Sequence, residues 1–317
     1  MNNSALLILA YNEENNISNT IEELVNDFDS VLVVNDKSTD ETKNILDKLK
    51  LKYKNLYVLN NLKNLGAGKS FQVGIDELKK YDVENIIKID GDGQFEKEDV
   101  LKIKSFLENK NVQYVKSNRF WENGIEGEIP TIRYFGNTIA SILIKFNTGI
   151  FSINDPLNGL FGFKKITLKD IIIPKKFNRY GYPFYLNCLM LEKKYLTIEI
   201  LNKVKYGIGE KSQLKALPIF LKLLGYSIIY FFKNINLKFK NSNLQVSAFI
   251  DLIFLTMQIL SFYFFIKFIN VRYFSNEGSQ TNLFILFSIF QFVSLNLIYR
   301  SKLIENRIKK NIFHQDY

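Results

Sequence analysis

Cysteine and histidine are nearly absent from this chain: one of each occurs, Cys188 and His314. One cysteine leaves no internal disulfide, and Cys188 sits in an apolar helical pattern as a small core residue. One histidine, close to the end, argues against a His/Cys zinc site and against a Ser-His-Asp triad. A compact Lys/Arg block is missing too. The formal net charge is +10, yet the basic residues are scattered, unlike a nucleic-acid footprint. The first residues enter a strand-like run without a basic segment or cleavage signature, so no signal peptide is expected. Internal repeats and low-complexity linkers are also absent. Chemistry must therefore come from carboxylates, Arg/Lys and a borrowed metal.

What is present is a 317-residue chain, 47% hydrophobic and 15% aromatic, enough for one large domain plus an appendage. Leu6–Ala10, Val31–Val34, Leu56–Leu59, Ile86–Ile89 and Val112–Val115 read as strands. Between them Ile17/Ile21/Leu24, Ile45/Leu46/Leu49, Phe71/Ile75/Leu78 and Val100/Ile103/Leu107 recur at helical spacing. Ser38 to Glu41 has capping-box spacing for the second helix. Alternation of this kind predicts an α/β fold, a mostly parallel sheet with helices on both faces. Ile132, Phe135, Ile139, Ile142, Leu143 and Phe146 make one apolar helical face. A turn-rich stretch, Asn154–Gly159, leads into Leu160–Phe163, and a helix at 183–194 and a strand at 196–201 follow. This first domain is expected to span 1–210.

The remainder is membrane-like. Residues 246–269 form a nearly unbroken apolar stretch, long enough to cross ~30 Å of hydrocarbon. A second, shorter candidate covers about 281–299, within a 246–317 membrane domain. Asp251 and Lys267 are expected to reach the headgroups from the ends of the first span. The loop 270–282 holds one basic residue, Arg272, whereas Arg300, Lys302, Arg307, Lys309 and Lys310 crowd the tail and Lys233, Lys238 and Lys240 precede the first span. The positive-inside rule then places both flanks, and the catalytic domain, on the cytoplasmic side of a multi-pass protein. Segment 211–245, with Leu217–Phe232 interrupted by Lys222 and Gly225, reads as an interfacial amphipathic helix.

The chemistry concentrates where strands end. Ile86–Ile89 runs out into Asp90-Gly91-Asp92-Gly93-Gln94, two carboxylates at i, i+2 beyond a strand's C-terminal end. Such a pair makes a hard oxygen site suited to Mg²⁺ or Mn²⁺ that keeps waters and substrate phosphates; the alternative is an ordinary polar turn. Gly66-Ala67-Gly68-Lys69-Ser70 suggests a P-loop, but Lys63 stands where the first glycine belongs, so that motif fails. A lysine at a Gly-rich helix start can still touch a phosphate.

Taken in order, Ala10-Tyr11-Asn12-Glu13, Val34-Asn35-Asp36-Lys37-Ser38-Thr39-Asp40, Asn64-Leu65-Gly66-Ala67-Gly68-Lys69, Asp90/Asp92 with Gln94, and Asp155-Pro156 with Asn158-Gly159 resemble the family 2 glycosyltransferases. Within these the chain is similar to the dolichol-phosphate mannosyltransferase type, across residues 4–210. The resemblance implies a GT-A fold and transfer of a hexose from a UDP- or GDP-sugar to a polyprenyl phosphate, with inversion. It implies Asp90, Asp92 and Gln94 as holders of a Mg²⁺ or Mn²⁺ that bridges the donor diphosphate. Tyr11, Asn12, Glu13 and Asp36 would line the base pocket, and Lys69 would touch the donor. Arg119, Arg133 and Lys205 would grip the acceptor and donor phosphates; the family usually has Arg where Lys205 stands, and Lys lacks the bidentate fork. Lys37 replaces a usual glycine. Asp155 is the carboxylate nearest the acceptor. A phosphate acceptor is already an anion at neutral pH, so Asp155 is expected to position; a glycan hydroxyl would need it as a base. A hydroxyl-directed transferase and a non-catalytic nucleotide-sugar-binding membrane protein are the rival readings. Whether the chain assembles with itself is left open.

Overall fold

A computed structural model describes residues 3–108, 111–121, 125–126, 131–148, 150, 152–205, 216–274 and 281–314, without the side chains at 132, 216–217, 272–274, 281 and 305–314. The cations Arg272, Arg307, Lys309 and Lys310, used above for orientation, thus lie outside the described side chains. Two compact units divide the chain, Met1–Gly225 and Tyr226–Tyr317. The sequence boundary at 210 falls outside the described residues; the observed division lies inside a helix.

In the first unit the order is β1 (Ser4–Ala10), α1 (Ile17–Leu24), β2 (Ser30–Asn35), α2 (Thr42–Lys52), β3 (Leu56–Asn60), α3 (Ala67–Leu78), β4 (Asn85–Asp90) and α4 (Lys97–Glu108). Then come β5 (Tyr114–Asn118), β6 (Ile125–Glu126), α5 (Thr131–Thr148), β7 (Phe161–Lys164), α6 (Tyr182–Glu192), β8 (Thr197–Leu201) and β9 (Val204–Lys205). Strands β1, β2 and β4 are apolar and buried along nearly their whole length, as parallel strands covered on both faces must be. Seven strands form one sheet in the order β3-β2-β1-β4-β7-β5-β8, and β6 pairs with β9 in a small second sheet. All pairings in the large sheet are parallel except those of β7, which runs antiparallel between β4 and β5.

One sheet face packs Leu6, Ile8, Val31, Val33, Ile87 and Ile89 against Ile17, Ile21, Leu46, Val100, Ile103 and Leu107 of α1, α2 and α4. On the other, Phe71 of α3 meets Phe161 edge-on at 5.7 Å and stacks on Tyr182 at 5.1 Å. Truncating Phe71 to alanine would cost ~3–5 kcal/mol. Within β7 the residues alternate: Phe161 and Phe163 lie on this aromatic side, while Gly162 faces α4, where an added Cβ would come within 2.5 Å of Ile103. Helix α5 buries Ala140 and Ile144 and turns Tyr134, Phe135, Ile139 and Ile142 outward.

Two local expectations shift. Ser38 does not cap α2, which begins at Thr42; its Oγ accepts from Asn12 N and donates to Asn35 Oδ1, so it is spent joining two turns. Strand β5 starts two residues later than expected and continues through Lys116-Ser117-Asn118, buried polar residues that satisfy themselves in loops of the site.

The second unit carries the C-terminal part of α7 (Ala216–Phe239), α8 (Gln245–Phe274) and α9 (Thr281–His314). Among the described residues two helices are long and apolar enough to cross a membrane, over 242–271 and 282–304. They pair antiparallel through polar and aromatic rungs: Gln258 donates to Ser294 Oγ at 2.5 Å, Ser261 to Gln291 at 3.1 Å, and Phe264 stacks on Phe290. Lys267 is exposed, but Asp251 does not reach outward. It is fully buried and paired with Lys238, because α7 brings that lysine against α8.

Candidate active site

Strand order reverses between β1 and β4: β2 and β3 follow β1 on one side, and β4 continues on the other. In an open parallel sheet the crevice beyond the carboxyl ends at such a switch point is where ligands bind. The turns after β1, β2 and β4 all open there. Asp36 N donates to Ala10 O and Gly91 N to Leu9 O, both at 2.9 Å, which draws the three strand ends together.

The first two turns are stitched to each other. Asn12 Oδ1 accepts from Thr39 N at 2.8 Å, and Glu13 N donates to Thr42 Oγ1 at 2.8 Å. Tyr11 is exposed at the rim. Lys37 has φ +62°, a left-handed conformation that favours glycine and costs another residue roughly 1–2 kcal/mol. Asp36 is almost fully buried and holds the next turn: Oδ1 accepts from Leu65 N and Asn61 Nδ2, each at 2.8 Å, and Oδ2 from Gly66 N at 2.7 Å. Its carboxylate thus shapes the wall formed by residues 61–66.

The structure gives the Asp90/Asp92 pair two different surroundings. Asp90 Oδ1 lies 2.6 Å from Lys88 Nζ; the lysine side chain is 1% exposed and the aspartate 37%. Lys88 also donates to Gly159 O at 3.1 Å and lies over the rings of Phe161 and Tyr182. Gly159 sits so close that a Cβ there would be 2.2 Å from Asp90 Oδ2. Asp92 accepts from Gln94 N at 3.2 Å and faces Glu13. Glu13 is pushed up to about 7, first by burial and then by the Asp92 carboxylate, with smaller contributions from Asp90 and Asp40. Three carboxylates pressing on one another are a setting that a cation relieves. Among the described residues no group of three or more His, Cys, Asp or Glu forms a metal shell by itself. The donor set fits a hard divalent ion that takes its other ligands from phosphate oxygens and water. Lys205, in β9, donates its backbone N–H to Gln94 O at 3.2 Å, and its ammonium lies 3.4 Å from Glu96.

Strands β5 and β8 and the loop before β7 build a wall of paired charges. Arg119 Nε lies 3.0 Å from Asp155 Oδ2 and Nη2 donates to Oδ1 at 3.4 Å, while Arg119 N also donates to Oδ2. Asp155 is fully buried, so it holds the guanidinium in place while that group stays partly open. Glu199 of β8 pins the same loop: it accepts from Asn154 N at 2.7 Å, Asp155 N at 3.2 Å and Asn118 Nδ2 at 2.9 Å. Burial raises its carboxyl above the usual range. Lys116 is fully buried, donates to Asn158 O and lies over Phe161. Burial brings its ammonium down to about 7; Asp155 opposes the shift, while Arg119 and Lys88 add to it. Arg133 lies in the first turn of α5.

The glycine-rich start of α3 does other work than hold phosphate. Gly68 N and Lys69 N donate to Arg179 O and Asn178 O, at 3.2 and 2.8 Å, so these helix-start donors are already taken. A Cβ on Gly68 would lie 2.0 Å from Phe177 O. The glycines let residues 177–179 cross the helix start. Lys88, Lys116 and Glu199 were not singled out in the sequence. Their one signal is a charged residue inside an otherwise buried strand, which must have a partner.

With this geometry in hand, a model of the family described as Glycosyl transferase family 2 matches residues 5–172. An uncharacterized protein of Methanocaldococcus jannaschii is 35% identical over 150 residues, 46% of this chain and 62% of that protein, so this chain spans less than two thirds of it. The UDP-N-acetylglucosamine–dolichyl-phosphate N-acetylglucosaminyltransferase of Methanococcus voltae is 26% identical over 215 residues, 64% of this chain and 82% of that one. Among solved structures, glucosyl-3-phosphoglycerate synthase of Mycobacterium tuberculosis, in complex with Mn²⁺, UDP and glucosyl-3-phosphoglycerate, superposes with a TM-score of 0.54 at 16% identity, over 72% of this chain and 79% of that one. At that identity the likeness is one of fold.

Proposed function

This chain belongs to glycosyl transferase family 2, and from that footing we propose that it moves a hexose from a UDP- or GDP-sugar, with inversion, to a polyprenyl phosphate at the cytoplasmic face of a membrane. It is a glycosyltransferase with a GT-A-type sheet, and its relatives include a dolichyl-phosphate sugar transferase. One arrangement carries the finer reading: carboxylates gather at the strand ends of the switch point, and Asp90 is tied through Lys88 to Gly159, in the loop where a fully buried Asp155 holds Arg119.

In this reading Asp92 and Gln94 would hold Mg²⁺ or Mn²⁺, which supplies Lewis-acid neutralisation of the departing diphosphate. Asp90, held by Lys88 beside Gly159, would offer its open edge to the same ion. Tyr11, Asn12 and Glu13 line the base side, and Asp36 shapes its wall through residues 61–66. Lys69 and Lys205 offer charge to the donor phosphates. Arg119 and Arg133 bind the acceptor phosphate, which is an anion at neutral pH and attacks without a base. A glycan hydroxyl would need a general base, and both Asp155 oxygens are engaged by Arg119. That supports a phosphate acceptor. The outward apolar face of α5 and the two long apolar helices support delivery from a bilayer.

Membranes containing the protein, given radiolabelled UDP- and GDP-sugars with Mn²⁺, should transfer label into organic-extractable lipid. Absence of labelled lipid with every donor would count against the reading.

A further inference from the structure

The paired helices of the second unit carry two amides that their own hairpin leaves half used. Gln258 donates through Nε2 to Ser294 Oγ, and Gln291 accepts through Oε1 from Ser261. A glutamine amide has both a donor and an acceptor end. Gln258 Oε1 and Gln291 Nε2 therefore remain, and neither meets a partner among the described residues. Both side chains are half-buried. They line one cavity of about 190 Å³ between α8 and α9, completed by Ser261, Phe262, Phe265 and Phe287. Neighbouring hydroxyls behave otherwise. Thr256 and Ser288 are exposed, yet they donate to the carbonyls of Ile253 and Phe284 on their own helices, at 2.8 and 2.9 Å.

Depth makes the unused ends costly. The apolar stretches run over 242–271 and 282–304, and each glutamine stands at least nine residues, or about 13 Å, inside both ends of its stretch. In hydrocarbon neither water nor a lipid tail answers an open amide end. The rim is apolar, with Phe262 63% exposed and Phe265 38%, so the cavity faces outward from the hairpin. What stands open in it is one acceptor on α8 and one donor on α9. That combination is complementary to itself under a two-fold axis. Gln258 Oε1 of one copy would accept from Gln291 Nε2 of the other, and the reverse bond would form at the same time. An axis along the membrane normal keeps every residue at its own depth. The Gln258–Ser294 and Ser261–Gln291 rungs set the two amides three residues, or ~4.5 Å, apart in depth. Two glutamine side chains span that step. A prenyl or acyl chain would fill the cavity and leave both ends open.

Resting on the reading of these two helices as membrane spans, we propose that the cavity between α8 and α9 seats a second copy of this chain. Gln258 and Gln291 form a reciprocal pair of bonds at the centre of the homodimer, with Phe262 and Phe265 packed around them. The interface lies within the second unit alone and takes no part in the transfer step.

The test counts copies of the full chain in phosphatidylcholine/phosphatidylglycerol vesicles, without a sugar donor. One fluorophore per chain is carried by Leu51→Cys, at a position 90% exposed on α2, Cys188 being buried. At high dilution in lipid the parent should bleach in two steps. Gln258→Leu or Gln291→Leu should raise the dissociation constant about tenfold, since each removes both symmetry-related bonds. Asn296→Leu removes another exposed amide within the span, about 140° round α9 from Gln291, and should leave the dimer as it is. Oxidation should cross-link Phe262→Cys copies and spare Asn296→Cys copies. Where a glutamine variant does not insert, this cross-link, made with both glutamines in place, decides. Single-step bleaching of a parent retained in the vesicles through alkaline carbonate overturns the dimer and leaves the cavity to lipid or water. Bleaching in more than two steps, equal weakening by Asn296→Leu, or no cross-link at position 262 overturns it too. A parent stripped from the vesicles by carbonate ends the membrane reading and the dimer with it. A parent that dimerises but labels no lipid phosphate ends the transfer reading alone.

Discussion

Both units of this protein bury a lysine against an aspartate at 2.6 Å, and the lysine is 1% exposed in each. The aspartates differ. Asp90, at the end of β4, is 37% exposed, whereas Asp251 is sealed at 0%. An open pair keeps one carboxylate edge for a ligand while the lysine holds its position. A sealed pair has nothing left to offer a ligand and can only join the elements that carry it. The same chemistry thus borders the candidate site in one unit and joins helices in the other, and burial of the acid makes the difference.

The largest effect should come from the carboxylate beside the open pair. Asp92→Ala should lower transfer on the order of 10³-fold in initial-rate assays, several kcal/mol of lost charge stabilisation, with little change in melting temperature. Lys88→Met should lower kcat about 10²-fold, because Asp90 and the Gly159 loop lose their common anchor and shift within the site. Lys238→Met should do the reverse. It leaves a buried carboxylate unpaired, so unfolding should cost ~3–5 kcal/mol less, while the rate on a short soluble acceptor stays within about twofold. If Lys88→Met and Lys238→Met gave the same profile, the distinction between open and sealed pairs would be wrong.

A smaller effect is expected from pH. Lys116 titrates near 7 in the folded chain against an ordinary value of 10.5. Between those values the unfolded chain binds a proton that the folded chain has released, so stability rises with pH across that window. Below about 7 both states are protonated and the burial cost is present in full. Melting curves of parent and Lys116→Met should therefore converge as pH rises from 7 to 10.5. The smallest change is Lys37→Gly, which should raise stability by ~1 kcal/mol in denaturant titration by relieving the φ of +62°.

Much of the candidate site was legible because parallel strands are buried on both faces. Apolar runs such as Leu6–Ala10 and Ile86–Ile89 stand out, and the polar residues where they stop mark the crevice. The family motifs added an order to those stops. Lys88 and Lys116 were hidden for the opposite reason: each lies within a strand, where pattern reading looks for apolar residues and counts a charge as noise. The roles of Gly66 and Gly68 depend on residues 177–179, more than a hundred positions away, and no local rule reports a crossing at that distance. Asp251 misled because hydropathy places a charge by depth along a span, whereas its partner came from α7, thirteen residues earlier.

Strand β7 adds a constraint on length. Its two phenylalanines fit only the aromatic side, and at Gly162 even a methyl would collide with Ile103. Sliding β7 by one position exchanges the faces of every side chain and would drive a benzyl group into α4. The loop that delivers Asp155 and Asn158 to the crevice is therefore counted as well as shaped. Insertions before Leu160 must be absorbed as a surface bulge, because the strand that follows cannot move to take up the slack.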